Sequence, residues 1–319
     1  NVAFILYVLN TFIHNCVFAG AFHGRSYMTM AMTSKCHPYK TGFGPLPGGV
    51  NRFPFPYCYR CPYGLEKESC GMHCAKMFEE SFFLEYVAPD KVAAIILEPI
   101  LGEGGFVVAP DEFMRELRRL CDKYGILLVA DEIQSGYART GKMFACEHWS
   151  VRPDIVVSAK SVAGGIPVAC VTARKDIMES VSPGELGGTY CGNALATASA
   201  LKVLEIMERD DFCGKASHIG DITIKRLYEM KEKYSLIGDV RGKGAMLAIE
   251  FVKSRATKEP AKAETKAIIN ECIANGLVVL GAGVRDNCIR LLMPLVITDE
   301  QVNVGLDILD KAIAKVSKQ

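Results

Sequence analysis

From Lys91 onward, short apolar runs alternate with amphipathic ones, and this alternation constrains the fold more than any other feature of the chain. Parallel strands joined by crossover helices produce such a pattern. We predict strands at Val92–Leu97 and 126–130, with a helix at Asp111–Tyr124 between them that Gly125 ends. The apolar face of this helix comprises Phe113, Met114, Leu117, Leu120 and Cys121. The first part of the chain is therefore predicted to be an α/β domain.

The pattern changes after a polar segment at 209–214, so we predict a large domain over residues 1–210 and a small α+β domain over 211–319. A helix at 193–208 closes the large domain. The small domain is predicted to contain a helix at 218–234, strands at 244–251 and 276–280, and a polar loop at 255–260. Thr298 and Gln301 have the spacing of a capping box, which predicts that the last helix begins there.

Composition restricts the partners and the compartment. The chain has 319 residues and a net charge of +1, and it lacks a basic run, so neither a nucleic acid nor a membrane surface is predicted as a partner. Thirteen cysteines without a recognisable secretory signal indicate the reduced thiols of a cytoplasmic protein. Residues 1–20 are mostly apolar but contain Asn10, His14 and Asn15, so we interpret them as neither a signal peptide nor a membrane span.

A further apolar, strand-like run extends over residues 154–160. Three charged side chains stand at the ends of predicted strands: Glu98, Asp131 and Lys160. The carboxyl ends of neighbouring parallel strands share one edge of a sheet, so these residues can converge although they are far apart in sequence. A lysine at the end of a buried strand is costly to desolvate unless its pKa is lowered or it is bonded. A Schiff-base lysine and an aspartate on the ring nitrogen are what pyridoxal phosphate requires. Taken singly, a helix cap and a solvated lysine are the ordinary alternatives.

Six sequence motifs favour the cofactor interpretation. Through these motifs and their order along the chain, the sequence resembles the class III (subgroup II) aminotransferases, and among these the 4-aminobutyrate aminotransferases. The motifs are GAFHGR (20–25), EPILGEGGF (98–106), ADEIQSG (130–136), AKSVAGG (159–165), GGTYCGN (187–193) and IRLLMP (289–294). The resemblance implies fold type I, with a mixed, mostly parallel sheet flanked by helices and a smaller C-terminal α+β domain. It also implies pyridoxal 5'-phosphate as the cofactor.

By this resemblance, Lys160 would hold the cofactor as a Schiff base and then move a proton between substrate and cofactor. Asp131 would keep the ring nitrogen protonated, and Gln134 would approach the ring hydroxyl. Phe22 would stack on the ring with His23 beside it, whereas a core aromatic with a satisfied histidine is the alternative without the motif.

The resemblance assigns the substrate class to two arginines and one carboxylate. Arg25 would bind the distal carboxylate of 4-aminobutyrate, and Arg290 the α-carboxylate of glutamate or 2-oxoglutarate. Glu103 would pair with Arg290 while the ω-amino acid is bound and then swing away. Thr189 would reach the phosphate of a cofactor bound by a second subunit, which implies a homodimer. Without the resemblance, the ordinary alternative for Arg25 is a surface ion pair, and that for Glu103 is a loop carboxylate.

The implied reaction transfers an amino group from an ω-amino acid to 2-oxoglutarate, giving succinate semialdehyde and glutamate from 4-aminobutyrate. The amino and keto acid partners stay open, since 3-amino-2-methylpropanoate and 5-aminovalerate also fit. Related amino-acid racemases or epimerases, acetylornithine or ornithine aminotransferases and a dialkylglycine decarboxylase are alternatives, and Arg25 argues against the racemases and the decarboxylase.

Residues 2–12 do not resemble the family's phosphate-binding turn, so the large domain is predicted to be N-terminally incomplete and an inactive remnant is a further alternative.

The segment 57–74 is an insertion rich in cysteine. Cys58, Cys61, Cys70 and Cys74 have a spacing that could close a tetrahedral zinc or iron–sulfur site, with His73 beside the last. A surface loop with free thiols is the alternative, because the second pair has three intervening residues and the loop contains Pro62 and Gly64. Any metal here is predicted to be structural.

Overall fold

The computed structural model describes residues 14–318, which divide into two compact units. Unit 1 contains residues 14–99, 109–137 and 144–210, and unit 2 contains 100–108, 138–143 and 211–318. The structure does not describe residues 1–13. The prediction for residues 2–12, and that for residues 1–20 as far as residue 13, therefore lie outside the described residues. Segments 100–108 and 138–143 belong to unit 2 although they precede residue 211, and the division into functional domains stays a prediction.

The described residues form strands and helices that alternate along most of the chain. The strands are β1 (His14–Phe18), β2 (Val50–Phe53), β3 (Val92–Leu97), β4 (Ile100–Leu101), β5 (Val107–Val108), β6 (Leu127–Asp131), β7 (Ile155–Ser158), β8 (Cys170–Ala173), β9 (Ile237–Lys243), β10 (Met246–Ser254), β11 (Glu259–Pro260), β12 (Leu280–Ala282) and β13 (Cys288–Leu291). The α-helices are α1 (Tyr27–Met32), α2 (His73–Met77), α3 (Phe83–Glu85), α4 (Asp111–Tyr124), α5 (Lys175–Met178), α6 (Ala194–Arg209), α7 (Phe212–Lys233), α8 (Lys262–Ala274) and α9 (Asp299–Val316). Single 3₁₀ turns occur at Cys58–Arg60, Pro89–Lys91, Ala145–Trp149 and Lys160–Ala163, and a π-helical turn at Phe78–Phe82.

Unit 1 is built on a six-stranded sheet in the order β2-β1-β3-β6-β7-β8. All neighbouring strands are parallel except β7 and β8, which are antiparallel. All six residues of β3 are buried, as expected for a central strand of a sheet covered on both faces. The predicted α/β fold with a mixed, mostly parallel sheet is confirmed.

Helix α4 has the predicted bounds, and its five buried residues are the five predicted for its apolar face. Gly125 ends the helix in the left-handed conformation, at φ 68°, which costs a glycine little. Arg118 on α4 donates from Nη1 to Asp154 Oδ2 at 2.8 Å, just before β7 begins. The helix is therefore fixed to the sheet by apolar burial and by one partly buried ion pair.

Unit 2 contains an antiparallel sheet in the order β11-β10-β13-β12, with β9 also paired to β10. Helices α7, α8 and α9 cover it and bury an apolar cluster that includes Leu227, Ile249, Ile268 and Leu309. A Cβ at Gly220 would lie 2.4 Å from the carbonyl oxygen of Gly244, so α7 approaches the β9–β10 turn as closely as glycine allows. The small α+β architecture agrees with the sequence pattern.

Several predicted bounds in unit 2 are wrong. Helix α7 begins at Phe212 instead of residue 218, because Asp211 accepts a hydrogen bond from the Gly214 amide and caps it. Strand β12 begins at Leu280, since ladder pairing starts only there, opposite Arg290. Strand β9 was not predicted. The capping box at Thr298 is confirmed.

None of the helices formed by residues 14–318 combines the length and the apolar character needed to cross a bilayer.

Candidate active site

The predicted strand-end residues of unit 1 lie at one edge of the sheet. Glu98 follows β3, Asp131 is the last residue of β6, and Lys160 follows β7 by two residues; these three strands are consecutive and parallel. The Glu132 amide donates to the Val157 carbonyl at 2.8 Å and ties the end of β6 to β7. The sequence therefore predicted the placement of these side chains at a common edge.

The side chain of Lys160 is exposed. Its backbone has φ 52°, a left-handed conformation that is uncommon for a residue other than glycine. Such a conformation costs on the order of 1–3 kcal/mol and is found disproportionately at functional positions. The turn Lys160–Ala163 that follows places the lysine at the surface of the sheet edge.

His23 and Asp131 form a buried ion pair in unit 1. His23 Nδ1 lies 2.8 Å from Asp131 Oδ2, and the side chains are 0% and 3% exposed. Burial lowers the pKa of His23, but the hydrogen bond and charge of Asp131, aided by Glu98, outweigh burial and raise the pKa above its ordinary 6.5. The Glu98 carboxylate also accepts from the Phe22 amide at 3.1 Å. The sequence had placed His23 at the site without identifying this partner.

Two buried polar atoms of the predicted site residues have no partner among residues 14–318: His23 Nε2 and Gln134 Oε1. An unmade hydrogen bond at a buried atom costs about 1–3 kcal/mol, so these atoms have the capacity to bond a bound group or a water. Asp131 Oδ1 accepts from the Ile133 amide at 3.2 Å, and each carboxylate oxygen can accept twice. These residues therefore fit a polar aromatic ring such as that of pyridoxal phosphate, whose ring nitrogen and hydroxyl need such partners.

Phe22 and Arg25 both contact Tyr39. The Phe22 and Tyr39 rings meet edge to face with centroids 4.9 Å apart, and the Arg25 guanidinium lies 4.8 Å from the Tyr39 centroid. Arg25 is exposed, and within residues 14–318 the structure shows no acidic partner for it. The ordinary alternative of a surface ion pair therefore has no support, and the guanidinium keeps its capacity for a carboxylate.

Glu103 and Arg290 form an ion pair within unit 2, with Oε1 2.6 Å from Nη1. Their side chains are 28% and 13% exposed, so the pair is only partly closed to solvent. Arg290 Nε is buried and has no partner in the described part of the chain. Nη1 of Arg290 thus donates to Glu103, and the Nε–H group can still donate to the oxygen of another carboxylate.

Thr189 lies in an exposed segment of unit 1. Residues 187–193 are all exposed, and Tyr190 is 83% exposed. The next helix, α6, presents Leu195 and Leu201, which are 70% and 64% exposed. Several large apolar side chains exposed in one stretch of chain are typical of a surface that another protein surface covers.

The predicted metal site at Cys58, Cys61, Cys70 and Cys74 is not formed. All four thiols line one small pocket, yet among residues 14–318 no three His, Cys, Asp or Glu side chains are placed to hold a metal ion. Burial raises the pKa of Cys58, and it raises that of Cys74 to about 12, so these two thiols are protonated at neutral pH when no metal is bound. All thirteen cysteines are free thiols, and this loop is best described as a partly buried thiol cluster.

Comparison with known proteins agrees with this geometry. The family model "Aminotransferase class-III" matches residues 14–313. A probable 4-aminobutyrate aminotransferase of Bacillus subtilis (strain 168) is 45% identical over 93% of this chain and 68% of its own length. A leucine/methionine racemase of Thermococcus litoralis is 42% identical over 93% of this chain and 66% of its own.

A crystal structure of an amine transaminase from an uncultivated Pseudomonas species, in its PLP-bound form, superposes with a TM-score of 0.90. It is 29% identical, and the match covers 98% of this chain and 72% of that one. The matched family, the sheet and the strand-end residues agree, so this chain belongs to the class III aminotransferases, which are pyridoxal-phosphate-dependent enzymes.

Proposed function

We propose that the chain transfers the amino group of an ω-amino acid of the 4-aminobutyrate type to 2-oxoglutarate, giving succinate semialdehyde and glutamate. The observation that carries this proposal is the ion pair of Glu103 and Arg290, 2.6 Å apart and partly exposed. A guanidinium covered by a carboxylate on a loop can bind a substrate carboxylate when that loop carboxylate leaves. A pocket that must accept two substrates of different length needs such an exchangeable partner.

Pyridoxal phosphate, when bound, supplies a carbonyl for Schiff-base formation and an electron sink. Asp131, held by His23, would face the ring nitrogen, and Gln134 would face the ring hydroxyl with its buried amide oxygen. Phe22, half-buried and braced by Tyr39, would cover one ring face. The negative charge of Asp131 would favour a protonated ring nitrogen. His23 contacts only Oδ2 of this carboxylate, so Oδ1 is left to face the ring.

Lys160 would first bind the cofactor covalently and afterwards carry the proton between the substrate carbon and the cofactor carbon. A neutral amine is needed for that transfer. The left-handed backbone at Lys160 and the turn it begins fix the start of the side chain, which is exposed to solvent.

Arg25 would bind the distal carboxylate of the ω-amino acid. Its guanidinium already stacks on Tyr39, which limits its side-chain freedom without using its hydrogen-bond donors. Arg290 would bind the α-carboxylate of glutamate or 2-oxoglutarate once Glu103 moves away. The two arginines then serve the two half-reactions in turn.

Homodimerisation belongs to the same proposal. The exposed segment 187–193 with Thr189, and the exposed Leu195 and Leu201, form a surface that a second copy would cover. Thr189 would then bind the phosphate of the cofactor in the other subunit. A reduced compartment such as the cytoplasm fits thirteen free thiols.

The test is amino transfer by the purified chain with added pyridoxal phosphate, 4-aminobutyrate and 2-oxoglutarate, followed by mass spectrometric detection of glutamate and succinate semialdehyde. We expect both products in equal amounts, and none with Lys160→Ala. Glutamate formed by Lys160→Ala at the wild-type rate would contradict the assignment of Lys160. N-acetylornithine and ornithine serve as competing donors in the same assay.

The similarity to a leucine/methionine racemase favours racemisation as a second candidate. A racemase needs the same lysine and aspartate but no exchangeable carboxylate, because its substrate carries a single carboxylate. Chiral chromatography after incubation with L-leucine or L-methionine distinguishes the two. D-amino acid without glutamate would favour the racemase, and neither product would favour an inactive remnant.

A further inference from the structure

A buried ion cluster in unit 2 lies against the loop that carries Glu103. Its centre is Arg241 on β9, whose Nη1 donates to Asp239 Oδ2 and to Glu250 Oε2, both at 2.8 Å. The side chains of Arg241 and Glu250 are 10% and 1% exposed. Charges this deeply buried are tolerated only when they are paired, so the guanidinium is held in a defined orientation. The reaction proposed above has not used this cluster.

Arg241 contacts both backbone segments that carry the Glu103–Arg290 pair. Its Nε donates to the carbonyl oxygen of Gly105 at 2.9 Å, two residues after Glu103. Its Nη2 donates to Cys288 Sγ at 3.4 Å, two residues before Arg290 on the same strand. One guanidinium therefore joins the loop that carries the carboxylate to the strand that carries its arginine.

The loop that carries Glu103 packs closely against the Arg241 guanidinium. A Cβ at Gly105 would lie 3.1 Å from both Arg241 Nη2 and Cys288 Sγ, and Gly105 has φ +100°, which side chains rarely adopt. The Gly283 amide donates to the carbonyl oxygen of Glu103 at 3.0 Å. The backbone is thus held at Glu103 itself and two residues after it, while the Glu103 side chain is 28% exposed.

We infer that Arg241 is a positioning residue for the carboxylate exchange: it fixes the backbone around Glu103, so that only the Glu103 side chain moves on and off Arg290. This inference rests on the proposed function, in which Glu103 covers Arg290 during one half-reaction. Without the guanidinium fork, the loop is free to retreat and Arg290 is left uncovered for longer. The half-reaction that needs the covered state, that of the ω-amino acid, then suffers more than the other.

Native-state amide exchange tests the positioning directly and does not depend on catalysis. Arg241→Lys keeps the positive charge but loses the planar fork that reaches Gly105. We expect exchange in peptides covering 102–106 and 280–284 to be faster by about tenfold than in the wild type. Arg255→Lys is the matched control, because Arg255 also donates from Nε to a carbonyl of unit 2, that of Ile237 at 2.9 Å, away from Glu103. In this control, exchange in the two peptides should be unchanged.

Steady-state kinetics provide the second readout. Arg241→Lys should raise the KM for 4-aminobutyrate several-fold more than the KM for 2-oxoglutarate, and should add little to Glu103→Gln in the double variant. Gly105→Ala, which disturbs the same contact from the loop side, should change the KM ratio in the same direction. Unchanged exchange at 102–106 in both Arg241→Lys and Gly105→Ala would overturn the inference even if the wild type transaminates. Faster exchange in a chain without amino transfer would support the positioning by Arg241 and refute the proposed function.

Discussion

Two carboxylate–cation pairs, one in each unit, differ in how exposed they are to solvent. His23 and Asp131 in unit 1 are 0% and 3% exposed, whereas Arg290 and Glu103 in unit 2 are 13% and 28% exposed, at similar distances. Opening a buried pair exposes an uncompensated charge to an apolar surrounding, but opening a partly solvated pair lets water replace the lost partner. The first pair suits a group that stays bound, and the second suits ligands that alternate.

The neighbouring atoms strengthen this contrast. The buried pair is braced by backbone, since the His23 amide donates to Thr33 Oγ1 at 3.0 Å and Asp131 accepts from Ile133. Glu103, by contrast, has a fixed backbone and a partly exposed carboxylate. Under the proposed function, the His23–Asp131 pair would stay closed while the Glu103 side chain moves, and this difference leads to the following predictions.

The largest effect is expected from Asp131→Ala, which leaves His23 buried without its carboxylate. We expect the free energy of unfolding to fall by about 3 kcal/mol, near the lower end for a broken buried pair because His23 can release its proton. Urea unfolding measures this loss. Asp154→Ala is the matched control, because Asp154 is also buried and accepts from Arg118 and Arg174 before β7 begins.

Both variants should be destabilised, but only Asp131→Ala should fail to retain pyridoxal phosphate on gel filtration. Equal retention by the two variants would contradict a special role for the His23–Asp131 pair.

A smaller effect on stability is expected from Glu103→Gln, less than about 1 kcal/mol, because the pair is partly solvated. The KM for 4-aminobutyrate should rise about tenfold relative to that for 2-oxoglutarate, since Arg290 is then permanently uncovered. Glu271→Gln is the control: Glu271 is 25% exposed and pairs with Lys315 at 2.7 Å in the same unit. A change in the KM ratio with Glu271→Gln as well would deny Glu103 a specific role.

The smallest effect is on the pH dependence of stability. The pKa of His23 in the folded protein is raised above its ordinary 6.5, so the folded state binds this proton more tightly than the unfolded state. The resulting stabilisation is fully present below about pH 6.5 and is lost as the pH rises through the raised pKa. Urea unfolding across this range should therefore show stability falling with pH, and His23→Asn should remove that part of the slope. An identical slope in the variant would show that His23 does not carry it.

The sequence predicted the local parts of this arrangement well because short-range chemistry determines them. Helix α4 has the predicted apolar face and the predicted glycine stop, and Asp131 ends its strand as expected. The β9 strand escaped notice because Gly238, Gly242 and three charged residues obscure its alternation. It forms because Ile237 and Val240 are buried and β10 pairs with it, which is a tertiary effect.

Contacts between distant residues were beyond prediction from the residues alone. His23 and Asp131 are 108 positions apart, and no local pattern links them. Arg241 and Gly105 are 136 positions apart, so the support of the Glu103 loop appears only in the fold. The cysteine spacing at 58–74 was misleading for a different reason: the four thiols line one pocket, but within residues 14–318 no three potential ligands are placed to hold a metal ion.

The most direct test of the two-pair account is a crossed experiment on Asp131→Asn and Glu103→Gln, in which cofactor retention and the ratio of the two substrate KM values are measured for each. The account predicts that Asp131→Asn loses pyridoxal phosphate, and that Glu103→Gln keeps it but shifts the KM ratio toward 2-oxoglutarate. If Glu103→Gln instead releases the cofactor, or Asp131→Asn keeps it and shifts the ratio, the division into a fixed and an exchangeable pair is wrong.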